Sequence, residues 1–314
     1  MNKPLRRIAI FCGLLVLTLL IRDNWLQYVQ ADELKNDEAN RRVAIERYAT
    51  PRGDIIVDGK AITGHATTKG DFKYKRTYKD GAMWAPVTGY VSQAYGATQL
   101  ENIDDGILTG NDDRLFFRNT LDMLTGKKRE GGNVVTTLSS AAQKAAYDGL
   151  KKQGGKGAVA AIEPSTGKIL ALASYPSYDP STIAGGGEAD GKAWNKIIEK
   201  NNPDKPMLNR ALREVYPPGS TFKVVTAAAA LEHGKYTSAD EKTDSPLPWT
   251  MPGTTTPLPN EGDLPCENAT LREALRVSCN TVFGKIGYDL GNDKMLETAK
   301  KFGFTEEQFV PVRS

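Results

Sequence analysis

The sequence predicts an α+β protein with a membrane anchor followed by two domains. Three observations predict this: a length of 314 residues, an uncharged apolar run at residues 8–21, and a predicted strand pair at 159–173 followed by helical segments. A chain of this length suits two domains with appendages. With 25% charged and 39% hydrophobic residues, the composition is that of a globular protein. A net charge of +3 without a basic patch argues against nucleic-acid binding.

The apolar run at residues 8–21 follows three basic residues near the N-terminus. Its 14 residues suit a signal peptide and fall short of the ~20 that span a bilayer. Aromatic residues typical of a membrane interface follow, and no small-x-small cleavage site precedes Ala31. We predict an uncleaved single-pass anchor in 1–31 with its basic end in the cytoplasm; a cleaved signal is the alternative. Either way, the rest of the chain lies outside the cytoplasm.

The two domains are predicted to meet at a charged, glycine-rich stretch, residues 151–157, which lacks apolar anchors. The first domain, with its linker, then covers 32–155 and the second covers 156–314. In the first domain, residues 74–124 alternate aromatic residues with glycine and polar residues, which predicts irregular structure without a catalytic role. Residues 133–138 predict a strand, and a helix is expected from Ser140 to about Leu150.

The second domain opens with two apolar runs, Val159–Ile162 and Ile169–Ala173, around a Pro-Ser-Thr-Gly turn. They predict an antiparallel hairpin. The turn carries a Ser-x-x-Lys spacing, Ser165 to Lys168, whose side chains are expected to diverge, so we assign it no catalytic role. A helix is predicted around residues 194–198.

A second Ser-x-x-Lys spacing joins Ser220 to Lys223, after Tyr216-Pro-Pro-Gly and before an alanine-rich run that ends at Gly234. Prolines and glycine predict a loop that feeds a helix starting near Ser220. Residues three apart share a helix face, so the hydroxyl and the amine can approach each other. A serine becomes nucleophilic when a base takes its proton, and an amine can be that base only when it is neutral. The pKa of a lysine is usually ~10.4, and desolvation lowers it. The alternative is a helix-capping serine with an exposed lysine.

Besides the two Ser-x-x-Lys spacings, the sequence contains a third short polar motif, Ser278-Cys279-Asn280. The capping-box pattern Thr270–Glu273 precedes it and predicts a short helix, and apolar residues at helical spacing follow it. The triplet is therefore predicted to lie in a tight connection between two helices, with Ser278 and Asn280 facing one cleft. The alternative is a polar interhelical turn.

These residues resemble the active sites of serine penicillin-binding proteins, which carry Ser-x-x-Lys, Ser-x-Asn and Lys-Thr-Gly elements. The likeness is closest to the class B, monofunctional transpeptidases, and among them to the actinobacterial penicillin-binding protein A group. It extends through residues 157–180, 209–220 and 52–59. The resemblance implies a transpeptidase fold in 156–314, with an antiparallel sheet and helices on both faces, behind an elongated pedestal, dimerisation-like domain in 32–155.

The resemblance also implies an activity, the crosslinking of peptidoglycan stem peptides through a serine acyl-enzyme. Ser220 would attack the carbonyl between two terminal D-alanines, and Lys223 would act as the base. Ser278 would pass a proton to the leaving amine, while Asn280 would bind the substrate amide and position Lys223. The implied partners are D-Ala-D-Ala stem peptides, β-lactams that acylate Ser220, the cytoplasmic membrane and proteins of cell-wall synthesis or division.

The third element of the family is absent from the 34 residues that follow Asn280. In the family it lies further downstream, so we expect a C-terminally truncated form. Its two-stranded hairpin would have an unpaired edge and an uncovered apolar face, so we expect the chain by itself to fold poorly or to be inactive. Two other functions stay open: a hydrolase of the carboxypeptidase or β-lactamase type, and a non-catalytic interaction protein of the cell-wall machinery.

The chain has three cysteines, of which Cys12 lies in the predicted anchor. Cys266 and Cys279 lie in a compartment where disulfides persist, and they are either bridged or independent. His65 and His233 are too few and too far apart in sequence for a metal site. We therefore expect neither a metal nor a cofactor.

Overall fold

The computed structural model of the protein describes residues 3–36, 41–127 and 130–306. The described residues divide into two compact units, the first ending at Glu214 and the second beginning at Val215. The first unit mixes helices with strands, and the described part of the second unit consists of helices and loops, so the chain as a whole agrees with the predicted α+β class. The predicted domain boundary at residues 155 and 156 lies inside the first unit and stays a prediction.

The N-terminal helix α1 covers Lys3–Tyr28 and is longer than the apolar run that predicts it. None of its side chains is buried, and its most apolar window has a mean hydropathy of 2.0. By length and composition this helix can cross a membrane, which is consistent with a single-pass anchor. Two short helices follow, α2 (Ala31–Asn36) and α3 (Arg41–Arg47).

The rest of the first unit consists mostly of short elements. The strands are β1 (Ile55–Val57), β2 (Lys60–Ala61), β3 (Thr63–Thr67), β4 (Tyr74–Tyr78), β5 (Val91–Ser92), β6 (Gly96–Ala97), β7 (Val134–Val135), β8 (Gly157–Ile162) and β9 (Ile169–Tyr175). The helices are α4 (Gly81–Thr88), α5 (Gln99–Ile103), α6 (Asp105–Thr109), α7 (Phe116–Leu124), α8 (Ser140–Gln153), α9 (Glu188–Ile198) and α10 (Arg210–Arg213). Strand β1 pairs antiparallel with β2 and parallel with β7, while β3–β4, β5–β6 and β8–β9 are antiparallel pairs.

The prediction of irregular structure for residues 74–124 was wrong, because this segment contains β4–β6 and α4–α7. These pieces are too short for a clear sequence period, and α4, α5 and α6 contribute buried or partly buried side chains, such as Trp84 and Leu108, to a shared core. The strand predicted at residues 133–138 is confined to β7. Helices α8 and α9 confirm the two helices predicted in these regions.

A buried ion network ties the start of the first unit together. Both carboxylate oxygens of fully buried Glu101 accept hydrogen bonds, one from Nε of Arg52 (3.1 Å) and one from Nε of Arg76 (2.6 Å). Arg52 also donates to Asp105 at 2.7 Å. Next to Arg52, a Cβ on Gly53 would lie 1.9 Å from the carbonyl oxygen of Gly132, so only glycine fits this approach. The Arg-Gly-Asp segment therefore serves packing and charge pairing.

The predicted hairpin is confirmed by β8 and β9, and its turn leaves Ser165 and Lys168 exposed. The expected uncovered apolar face is not found on β9, because α8 and α4 pack against this strand. The buried side chain of Gln143, on α8, accepts from the Leu172 N–H at 2.8 Å and donates to the Leu172 carbonyl at 3.0 Å. A side-chain amide thus replaces a neighbouring strand at this position.

The second unit is built on α11 (Lys223–Glu232), α12 (Leu271–Arg276) and α13 (Asn280–Lys301), the last interrupted at Gly291. Small residues of α11 lie against α13, which lets the two helices pack closely. The core of this unit consists of buried side chains from all three helices and from the segment before α12, among them Ala229, Ala230, Cys266, Leu271, Ala274, Cys279, Val282, Phe283 and Ile286.

Replacing Glu101 with alanine should destabilise the first unit strongly. The change leaves the guanidinium groups of Arg52 and Arg76 buried without their shared partner, which typically costs about 3–5 kcal/mol. Urea unfolding in detergent, followed by tryptophan fluorescence, measures the free energy. The matched control is Glu188→Ala, which removes one partner of an exposed pair with Lys192 and should change stability little. Equal effects of the two changes would contradict this account.

Candidate active site

Ser220 lies in a single 3₁₀ turn, Gly219–Phe222, which leads directly into α11 at Lys223. The sequence places the helix start near Ser220; the α-helix itself begins three residues later. Pro217 and Pro218 precede this turn and keep the loop before it out of helix. Ser220 is exposed and Lys223 is half-buried, so the hydroxyl is open to a substrate while the amine is partly withdrawn from water.

Ser278 lies in the three-residue link between α12 and α13, which confirms the predicted tight connection. Thr270 caps α12 by accepting the Glu273 N–H at 3.1 Å, as the capping pattern predicts. Ser278 has a φ of +60°, the left-handed conformation that often ends a helix and that usually belongs to glycine. A serine at this position costs backbone strain but supplies a hydroxyl.

The predicted site residues meet at the amine of Lys223. Its Nζ donates to the Ser278 carbonyl (2.7 Å), to the Ser278 Oγ (2.9 Å) and to the Asn280 Oδ1 (2.5 Å). The Ser278 hydroxyl in turn donates to the Ser220 Oγ at 3.2 Å. Within the described part of the chain, no direct hydrogen bond joins Ser220 to Lys223. The Ser278 hydroxyl therefore connects the two, a bridge that helical spacing alone does not predict.

The pKa of Lys223 lies below its ordinary value, and desolvation by burial is the main cause. The nearby carboxylate of Glu261 acts in the opposite direction and raises the pKa. The net shift increases the fraction of neutral amine at a given pH, which is the form that can accept a proton.

A disulfide fixes the middle residue of the Ser-Cys-Asn triplet. Cys266 and Cys279 are bridged with an S–S distance of 2.02 Å, and both are fully buried in the core of the second unit. Of the two alternatives that the sequence leaves open, the bridge is the one found. It ties the link that carries Ser278 to the segment that precedes α12.

Two further residues touch the site and escaped the sequence analysis. Asn260 accepts the backbone N–H of Asn280 at 2.7 Å, and the Pro259 carbonyl accepts the Asn280 Nδ2 at 2.8 Å. They belong to a polar loop whose Pro-Asn-Glu-Gly sequence resembles any surface turn, so no local pattern marks them. In the described residues no group of three or more histidine, cysteine, aspartate or glutamate side chains could hold a metal.

This arrangement suits acyl transfer by a serine. An exposed hydroxyl is joined through a second hydroxyl to an amine of lowered pKa, and an asparagine holds the amine in place. These are the nucleophile, the base and the orienting group that covalent catalysis requires.

Two family models match the chain: the penicillin binding protein A dimerisation domain at residues 52–134 and the penicillin binding protein transpeptidase domain at residues 157–310. The peptidoglycan D,D-transpeptidase PbpA of Mycobacterium tuberculosis is 43% identical over 96% of this chain. The peptidoglycan D,D-transpeptidase MrdA of Escherichia coli is 30% identical over 74% of this chain and 40% of its own length.

Among solved structures, the ceftriaxone acyl-enzyme complex of penicillin-binding protein A from M. tuberculosis matches with a TM-score of 0.75 and 42% identity. The match covers 83% of this chain and 60% of that one. The chain spans 62% of the length of the M. tuberculosis relative. With both domain models in the expected order and close structural relatives, the chain belongs to the class B penicillin-binding proteins.

Proposed function

We propose that this chain carries the acylation centre of a peptidoglycan D,D-transpeptidase. The observation that carries the proposal is the continuous connection from the Ser220 hydroxyl through Ser278 to the Lys223 amine, with Asn280 on the other side of that amine. Ser220, Lys223, Ser278 and Asn280 are the residues to which we assign catalysis.

Acylation begins when the Ser220 Oγ forms a bond to the carbonyl carbon between the two terminal D-alanines. With Lys223 neutral, Ser220 donates to Ser278 and Ser278 donates to the amine, so the hydroxyl proton ends on Lys223. As the C–N bond breaks, the proton returns through Ser278 to the leaving D-alanine amine. An acceptor amine from a second stem peptide then forms a C–N bond to the ester carbonyl carbon and loses a proton to Lys223 through Ser278. As the C–O bond breaks, that proton returns through Ser278 to the Ser220 Oγ, which restores the hydroxyl.

Asn280 has the position of an orienting group. Its carbonyl oxygen accepts from Lys223, and one of its two amide N–H groups donates to Pro259. The second N–H is the group that we assign to the substrate amide. A β-lactam places its strained amide where the D-Ala-D-Ala bond would lie and leaves a slow-reacting ester on Ser220.

We further propose that α1 anchors the protein in the cytoplasmic membrane as a single-pass helix, with the remainder outside the cytoplasm. Its basic N-terminal flank and uncharged centre support that orientation. Proteins of cell-wall synthesis or division are the partners that we assign to the pedestal.

In a form of the protein that is competent for acylation, a fluorescent penicillin should label Ser220 and should fail to label Ser220→Ala. The experiment is run on the 314-residue chain and on any longer product of its gene, and peptide mass spectrometry locates the adduct. Ser165→Ala, in the other Ser-x-x-Lys spacing, is the matched control and should keep full labelling. Equal labelling of Ser220→Ala would contradict the proposal, and rapid hydrolysis of the adduct would favour a hydrolase.

Acylation should accelerate as the pH rises, with its midpoint below 10.5, because the neutral form of Lys223 is the base and its pKa is lowered. Glu261→Gln removes a charge that raises this pKa, so the midpoint should move to lower pH. Penicillin acylation rates measured across the pH range give the midpoint. Glu267→Gln, an exposed glutamate of the same segment, should leave it in place. If the midpoint stays unchanged in Glu261→Gln, the assignment of Lys223 as the titrating base is contradicted.

Replacing Ser278 separates its chemical role from its backbone strain. Ser278→Gly and Ser278→Ala both delete the bridging hydroxyl and should slow acylation, roughly 10²- to 10⁴-fold. The glycine variant should be the more stable by about 1 kcal/mol, since the φ of +60° suits glycine. Acylation kinetics and urea unfolding measure the two effects. Wild-type acylation in either variant would exclude the relay.

A further inference from the structure

The first turn of α13 is held by a side chain from outside the helix. The Asn260 Oδ1 accepts two backbone N–H groups, from Asn280 (2.7 Å) and from Thr281 (3.1 Å). Its Nδ2 donates to the Thr281 Oγ1, also at 3.1 Å. Asn260 is half-buried, and both ends of its amide are engaged with the start of this helix.

The first turn of α13 needs the Asn260 side chain as an acceptor because Cys279, the residue just before the helix, has its sulfur in a disulfide. The first N–H groups of a helix have no partner within the helix, and the residue just before the helix usually supplies a side-chain acceptor. That residue is Cys279, whose sulfur is bound in the disulfide with Cys266 and which makes no capping hydrogen bond. Asn260, 20 residues earlier than Asn280, provides the acceptor that Cys279 lacks.

The same loop fixes which way the Asn280 amide faces. The Pro259 carbonyl is an acceptor only, so it binds the NH₂ end of Asn280 at 2.8 Å. The carbonyl end of Asn280 is thereby turned toward the Lys223 amine at 2.5 Å. A reversed amide would place its NH₂ group against the ammonium and lose both hydrogen bonds.

The loop is seated on α13 by close packing. Leu258 and Trp249 are joined by a backbone hydrogen bond of 2.9 Å and lie over Gly284. A Cβ on Gly284 would come within 2.7 Å of the Leu258 side chain and 3.0 Å of the Trp249 ring. The loop that runs from Trp249 to Leu258 thus rests on the turn of α13 that follows the one capped by Asn260.

We propose that Asn260 is a positioning residue, which acts through Asn280 to hold the Lys223 amine against Ser278. This role rests on the proposed acyl transfer and adds to it a group outside the family's three sequence elements. Among the described residues, the Asn260 side chain makes hydrogen bonds to Asn280 and Thr281 and none to Lys223 or Ser220, so its contribution passes through the geometry of Asn280.

The test is a double-mutant cycle of Asn260→Ala and Asn280→Ala, measured as penicillin acylation per folded molecule. Asn260→Ala should lower the acylation rate constant roughly 10- to 100-fold with little change in the initial binding of penicillin. In the Asn280→Ala background it should have no further effect. Asn260→Asp keeps the acceptor and should recover most of the rate, with its pH profile moved upward by the added charge. Thr255→Ala, an exposed position in the loop between Trp249 and Leu258, is the control and should match the wild type.

A second readout does not depend on acylation. The pH dependence of Lys223 acetylation by acetic anhydride is followed by mass spectrometry, with exposed Lys168 as the internal reference. Asn280→Ala removes a partner of the charged amine and should move the midpoint to lower pH. Asn260→Ala should do the same, and the double variant should go no further.

The two proposals fail in different ways. A wild-type acylation rate in Asn260→Ala would overturn the role of Asn260. Additive effects of Asn260→Ala and Asn280→Ala in the double variant would overturn it as well. If no form of the protein were acylated, the proposed function would fail. The acetylation cycle would then decide the positioning role by itself, since a cap with purely structural importance would leave the Lys223 midpoint unchanged.

Discussion

The site depends on one amine that must satisfy two opposing demands. Three acceptors surround the Lys223 Nζ, and each of them favours the charged form. A base must be neutral, and burial of the amine disfavours its charged form strongly enough to lower the pKa of Lys223. The hydrogen bonds therefore set the position of the amine, whereas desolvation sets its protonation. Because the acceptors belong to Ser278 and Asn280, the same contacts join α11 to the link between α12 and α13.

Each residue of the Ser-Cys-Asn triplet meets a different constraint. Ser278 occupies a left-handed backbone conformation that places its hydroxyl between Ser220 and Lys223. Cys279 is buried in the core and fixes the link through its disulfide. Asn280 starts a helix, so its side chain leaves the helix end at a defined angle toward the amine. Three consecutive residues thus combine strain, burial and a helix start.

The sequence was most informative where chemistry is encoded locally. Ser220 with Lys223, and Ser278 with Asn280, are short spacings, and the structure brings these four residues together. The hairpin β8–β9 and the helices around the triplet also follow from local patterns. Contacts between distant segments left no such signal: Asn260 reaches α13 across 20 residues, and the cysteine pairing stayed open. The prediction of irregular structure for residues 74–124 was wrong because core neighbours, rather than a sequence period, order helices such as α4 and α6.

The engagement of Leu172 by Gln143 has a consequence for sheet growth. A new strand joins a sheet by pairing with exposed N–H and carbonyl groups along its edge. At Leu172 both groups of β9 are already occupied by the glutamine amide, and α8 stands where a neighbouring strand would run. In the part of the chain that the structure describes, β8 pairs with β9 alone. Any additional strand, from this molecule or another, would therefore pair with the edge of β8 and not with the edge of β9.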